Sequence, residues 1–168
     1  MVGTEIRELH FIEDIGLFFE QMGMPRMAGR ILGVLLICDP PEQSLNEIGE
    51  AARASKASVS TMTRLLASAG LIEQVPSPVP RRDYFRYRKG GWLAFMRQRM
   101  EIMAALHDIT DKGLGILDGK DPALKERLYE AHDIFEFVEN EFPDWLERMA
   151  AKRGASLGRR RLTGRTRG

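Results

Sequence analysis

Apolar residues recur at helical spacing from the beginning of the chain, at Ile6, Leu9, Ile12, Ile15, Phe18, Phe19 and Met22. Thr4 is placed to cap this helix ahead of Glu5, whose charge suits a helix N-terminus, and Gly23 ends it. Pro25 suits the first position of a second helix. Met27, Ile31, Leu32, Leu35 and Cys38 form its inward side, and Asp39-Pro40-Pro41 stops it. Ser44-Leu45-Asn46-Glu47 is a capping box, in which the serine oxygen accepts from a free backbone N–H and the glutamate accepts from the serine's own N–H. It predicts a short helix over 45–52 with Leu45 and Ile48 inward, then a turn at Arg53-Ala54. Ser55 caps a further helix reaching 69, with apolar positions Val59, Met62, Leu65, Leu66 and Ala69. Gly70 is placed to end that helix in the left-handed conformation.

The period then changes. Residues 71–75 read as a short strand, and 83–88, alternating and rich in Tyr and Phe, as its return. Between them Pro76-Ser77-Pro78-Val79-Pro80 is barred from regular structure, because proline has no N–H to donate. Gly90-Gly91 closes the hairpin. A long helix over 92–117 follows, with a stripe of Trp92, Phe95 or Met96, Met103, Leu106, Ile109 or Thr110, Leu114 and Leu117. Asp118-Gly119-Lys120 turns the chain, and Asp121-Pro122 opens a last helix. Its apolar positions Leu124, Leu128, Ala131, Phe135, Val138, Phe142, Trp145 and Met149 alternate steps of four and three, a heptad pattern. Pro143 predicts a kink or restart near Phe142, and the Gly-, Arg-, Ser- and Thr-rich stretch from Lys152 predicts a disordered tail.

This order predicts a mainly α fold with a small β-hairpin wing: a winged helix-turn-helix flanked by N- and C-terminal helices. The expected division is an N-terminal dimerisation helix at 1–22, the winged domain at 23–90, C-terminal dimerisation helices at 91–151 and a basic tail at 152–168. A helix-turn-helix implies double-stranded DNA as partner, with its second helix in the major groove. Away from its apolar stripe, that helix presents Lys56, Ala57, Ser58, Ser60, Thr61 and Arg64, small or polar and without an acid. Small residues allow close approach. Ser44, Ser55, Ser58, Ser60 and Thr61 offer hydroxyls to phosphates or base edges, and Arg64 can fork onto a guanine. Arg81 and Arg82 in the hairpin loop are candidates for a minor groove, with Arg86, Arg88 and Lys89 behind them. Each feature has an ordinary counterpart, since serines at helix starts are caps and hairpin arginines are solvated. The competing function is a winged helix used as a protein-interaction module without specific DNA binding, which needs a larger apolar patch on that face.

Ser44-Leu45-Asn46-Glu47-Ile48, Ser55-Lys56-Ala57-Ser58-Val59-Ser60 and Leu65-Leu66-Ala67-Ser68-Ala69-Gly70-Leu71-Ile72 together resemble the MarR family of winged-helix regulators. Gly23-Met24-Pro25-Arg26-Met27-Ala28-Gly29-Arg30-Ile31-Leu32-Gly33 resembles its GbsR-like branch. The resemblance covers about 11–92, and the later helices match in layout only. It implies a dimer built by terminal helices, with one winged domain on each half-site. It also implies repression by promoter occupancy, often relieved by a small ligand. Many members carry Asp-x-Arg at the wing tip, where this chain has Ser77-Pro78-Val79-Pro80-Arg81-Arg82-Asp83. A ligand site implied between winged domain and dimer helices would draw on Phe18, Phe19, Trp92, Phe95 and Met96, residues that an ordinary core explains better.

Composition adds three things. The net charge of +1 is divided into +7 over 152–168 and −6 over the rest. Basic patches on a mildly acidic body are compatible with DNA, and the tail either adds non-specific affinity or is inert. No long apolar run and no signal-peptide layout is present, so a cytoplasmic protein without membrane association is expected. The heptad and the apolar stripes at both ends predict a homodimer, which would read a palindromic site. Cys38, the single cysteine, reads as an inert core thiol. His107 and Asp111 have the i, i+4 spacing of a metal pair, but exposed acid-rich helix faces share it, and no metal or other cofactor is expected. No enzyme is expected either, because phosphate loops, zinc-protease runs and nucleophile elbows are missing.

Overall fold

The computed structural model describes residues 2–76 and 82–163. The elements are α1 (Val2–Gln21), α2 (Arg26–Ile37), β1 (Gln43–Ser44), α3 (Leu45–Ala52), α4 (Lys56–Ser68), β2 (Ile72–Val75), β3 (Tyr84–Tyr87), α5 (Gly91–Ile116) and α6 (Pro122–Thr163). They divide into two compact units, Met1–Phe95 and Met96–Gly168.

In the first unit α2 is the central element, in contact with α1, α3, α4 and β3. That explains why Ile31, Leu32, Gly33, Val34 and Leu35 are all buried, leaving no polar side to that turn. The α1–α2 contact is backbone to backbone. A Cβ on Gly29 would lie 2.4 Å from the Ile15 carbonyl oxygen, and one on Gly33 would lie 3.0 Å from Ile12 Cα. Glu13 of α1 accepts from Arg26 Nε (2.7 Å) and Arg30 Nη1 (3.0 Å), and Arg30 Nη2 donates to the Ala52 carbonyl at the end of α3 (2.9 Å). Ile48, Val59, Leu66 and Leu71 complete the core around α2.

The sheet has three antiparallel strands in the order β1-β3-β2. Phe85 stands opposite Gln43 on one side and Gln74 on the other. The sequence reading had only the hairpin, because two residues leave no alternation to detect. Other details also differ from expectation. α1 starts at Val2, so Thr4 lies within it rather than capping Glu5. Pro25 stands at the N-cap rather than in the first turn, and Cys38 is the C-cap of α2 rather than part of its buried face. Along α1, Ile12 and Phe19 are buried while Ile6, Phe18 and Met22 are exposed, so α2 covers only part of the stripe.

In the second unit, Gly119 adopts φ +74° to reverse the chain, and Asp121 Oδ1 accepts from the Ala123 N–H (3.0 Å) at the start of α6. Gly113 gives room to Leu128. Along α6, Leu128, Ala131, Phe135, Val138 and Phe142 are half-buried as the heptad predicts. The next inward residue is Leu146 (4% exposed), while Trp145 and Met149 face outward. A helix of 3.6 residues per turn drifts from a strict seven-residue repeat, and here the step of four wins. α6 runs through Pro143 without a restart and continues to Thr163, where disorder was expected. Ala, Arg, Lys and Leu at 150–162 are good helix formers that offset Gly154 and Gly158. Among the described residues no helix is long and apolar enough to cross a membrane.

Candidate nucleic-acid interface

The short helix α3 is held at its start by the predicted box. The Ser44 N–H and hydroxyl both donate to Glu47 Oε2 (2.7 and 2.6 Å), and the Glu47 N–H donates to Ser44 Oγ (3.3 Å). The Ser44 hydroxyl, then its N–H, holds the Glu47 carboxyl below the usual range, and the positive charge of Arg82 adds to this. Arg53 closes α3 in the left-handed region at φ +50°, and the Ala54 N–H donates to the Gly49 carbonyl (2.9 Å). Ser55 Oγ then accepts from the Ser58 N–H (3.3 Å) to start α4. Thr63 is buried because its hydroxyl donates to the Val59 carbonyl (2.8 Å), which satisfies it without solvent. Gly70 ends the segment at φ +71°, a conformation costly for any residue with a Cβ.

These caps orient the outer face of α4. Lys56, Ala57, Thr61 and Arg64 are exposed there, and Ser58 and Ser60 are half-buried. Among the described residues neither Lys56 nor Arg64 has an ion-pair partner, and α4 contains no acid. Ser55 is exposed at the cap, whereas Ser44 is buried and its hydroxyl is committed to the box. Arg82 is exposed and lines a notch of about 330 Å³ with Ser44, Leu45, Asn46, Lys56 and Asp83. The starts of α3 and α4 and the base of the hairpin thus meet in one concave surface that carries two cations. Arg81 and the stretch 77–80 lie outside the described residues.

Two features escaped the sequence reading. Asn46 is exposed, lines this notch, and lines a second depression of about 480 Å³ along α3. The capping box was the available signal, since it turns the second residue of its helix outward. Arg86, grouped with the wing cations, is instead paired with Glu73 (2.7 Å) and Glu42 (3.0 Å), so it ties the strands together.

The aromatic candidates are placed as follows. Phe19 and Phe95 are fully buried with ring centroids 6.4 Å apart, and Trp92 meets each edge-on at 6.3 and 6.1 Å. Phe18 is half exposed and touches only the edge of Phe19 in this cluster. Met96, half-buried, is the first residue of the second unit. Burial pushes the Cys38 thiol up, away from reactivity.

A short capped helix, a tight turn, a second capped helix and an adjoining three-stranded sheet form a winged helix-turn-helix. Residues 22–83 match the family model described as MarR family, and residues 90–153 match that of the MmpR5-like MarR family transcriptional regulators. The chain is 39% identical over 153 residues to the HTH-type transcriptional regulator MmpR5 of Mycobacterium tuberculosis (strain ATCC 25618 / H37Rv), covering 91% of this chain and 93% of that protein. It is 26% identical over 156 residues to the HTH-type transcriptional repressor OpcR of Bacillus subtilis (strain 168), covering 86% and 83%. A solved crystal structure of a transcriptional regulator is similar at TM-score 0.75 and 39% identity, covering 86% of this chain and 99% of that one. The chain belongs to the MarR family of transcriptional regulators.

Proposed function

We propose that this regulator is a cytoplasmic homodimer that binds a pseudo-palindromic DNA site and represses by occupying it. The observation that carries the reading is the exposed, acid-free face of α4 bounded by Lys56 and Arg64. Of the large apolar residues of α4 only Leu65 is exposed, at 36%, which favours DNA over a protein-interaction module. In this reading α4 enters the major groove. Lys56, Ser58, Ser60, Thr61 and Arg64 face bases and phosphates, and Ser55 and Asn46 face phosphates beside them. Ser44 acts indirectly by holding α3, and Arg82 with Arg81 reaches the minor groove. Half-sites about one turn apart, roughly 10 bp, suit a two-fold dimer.

The dimer contacts are assigned to 1–22 and 91–151, the reading head to 23–90 and a supplementary basic segment to 152–168. Exposed Ile6 and Phe11 of α1 and Ile134 and Phe137 of α6 support that division. Repression is supported by the name of the OpcR relative, and the GbsR-like branch by the Gly23 to Gly33 stretch. A small effector relieving repression follows from the family resemblance, with Phe18 as the accessible edge of the aromatic cluster. The protein works by binding, not by catalysis.

The test is a salt titration of binding to genomic fragments, beginning with the protein's own upstream region. Wild type is compared with Arg64→Ala combined with Arg82→Ala. Tight binding to few fragments, lost in the variant, is expected. Weak, uniform, steeply salt-dependent binding that survives the double substitution would contradict sequence reading by the winged helix.

A further inference from the structure

The second unit carries a cluster of side chains that the DNA reading does not use. His107 and Asp111 stand one turn apart on α5, and α6 brings His132 beside them, with the two imidazole centroids 4.7 Å apart. His132 Nε2 lies 3.2 Å from Asp111 Oδ1. His107 Nδ1 lies 2.7 Å from Glu139 Oε2. Both rings are mostly buried, with side chains 20% and 16% exposed. Among the described residues, buried His107 Nε2 and His132 Nδ1 have no hydrogen-bond partner, the latter only facing Asp133 Oδ1 at 3.7 Å. Of the two, His107 Nε2 is the atom that an ion between His107, Asp111 and His132 would satisfy.

We propose that His107, Asp111 and His132 bind one divalent transition-metal ion and so clip α5 to α6. One ligand atom from each of the three lies within 4.8 Å of the others. Ligands about 2.0–2.1 Å from a tetrahedral ion are spaced roughly 3.4 Å apart. The 3.2 Å edge between His132 and Asp111 already has that length. The remaining edges are at most 4.8 Å and close by side-chain rotation, for which Asp111, 67% exposed, has room.

The surroundings also fit. A ligating histidine usually directs its other nitrogen to a carboxylate, which fixes the tautomer and raises basicity. Glu139 stands behind His107 in this way, and Asp133 Oδ1 lies 3.7 Å from His132 Nδ1. In that arrangement His107 Nε2, now without a partner, becomes the ligand atom. Two imidazoles and one carboxylate favour zinc, cobalt or nickel over magnesium or calcium. Water would complete the shell, as only three protein ligands are offered.

The test uses the full-length, tag-free chain and zinc chloride as the probe, followed by calorimetry. One ion per chain is expected, in the micromolar range or tighter, with no comparable binding of magnesium. His107→Ala and His132→Ala should abolish it. Glu139→Gln, at an outer partner, should weaken it about 10–100-fold, and Asp111→Asn, at a ligand, should weaken it more. His10→Ala, the remaining histidine, should leave it unchanged. Nitrogen NMR shifts of His107 and His132 in the wild type should move on zinc addition, which reads the site without any substitution. Zinc binding that persists in both histidine variants, depends on His10, or leaves those resonances in place would overturn the proposal.

Discussion

The two units solve the problem of burying apolar surface differently. Among the described residues, every buried apolar side chain but Leu146 lies in the first unit. The second leaves Ile102, Ile109, Ile116, Ile134 and Phe137 more than half exposed. The first unit surrounds α2 with α1, α3, α4 and β3, although part of the α1 stripe stays uncovered. The second is two long helices, each with one face used and another apolar face uncovered. A surface of that kind on a regulator is better explained by a second copy than by water. The contrast places the buried apolar core mainly in the first unit and the uncovered apolar surface mainly in the second, which suits the proposed dimer.

The strongest way to break this contrast is to charge the uncovered face. If the proposed dimer uses this face, Ile134→Asp with Phe137→Asp should leave a monomer with an unchanged circular dichroism spectrum. Loss of two-site engagement should lower operator affinity roughly 10²–10⁴-fold. Sedimentation gives the first result and DNA titration the second. A variant that stays dimeric would move the interface away from this face.

Next in size is the core of the first unit. Leu66→Ala removes a fully buried side chain and should cost about 2–5 kcal/mol in urea unfolding. Gly29→Ala should cost about 1–3 kcal/mol by forcing α1 away from α2, since the new methyl meets backbone and not a flexible side chain. Equal tolerance of both substitutions would show that the first unit is not the stability centre.

How much of this was legible depended on whether an interaction is local. The capping box, the Ser55 cap, Gly70 and the hairpin involve neighbours in sequence, so the reading head could be read residue by residue. α3 over 45–52 stands as expected from those signals, and Lys56, Ala57, Thr61 and Arg64 are exposed on α4, whereas Ser58 and Ser60 are half-buried and Leu65, read as inward, is exposed. What was hidden is non-local. β1 forms because β3 offers it an edge forty residues later, and Arg86 finds Glu42 across the same gap. The His107–Asp111 spacing was visible, but His132 reaches it only because the chain reverses at Gly119. The handover from the heptad at Trp145 to Leu146 depends on accumulated helical drift that a strict repeat does not carry.

The smallest expected effect concerns the cap that positions the reading head. Ser44→Ala should cost about 1 kcal/mol at neutral pH. Glu47 has its carboxyl pKa lowered in the fold, so its contribution is present in full above the ordinary glutamate value, about 4.3. It is lost as pH falls through the lower, folded value. The stability gap between wild type and Glu47→Gln should therefore shrink between pH 6 and pH 3 in urea unfolding. A gap that is flat across this range would mean that the box holds no charge-dependent stability.

The central claim is that two copies of α4 read one DNA site. Footprinting of the dimer on a bound upstream fragment, with wild type and Arg64→Ala side by side, tests it most directly. The account predicts two protected half-sites about 10 bp apart, related by symmetry, which fade together in the variant as about 1–3 kcal/mol of specific affinity is lost. Protection without two-fold symmetry, or symmetric protection indifferent to Arg64, would contradict it.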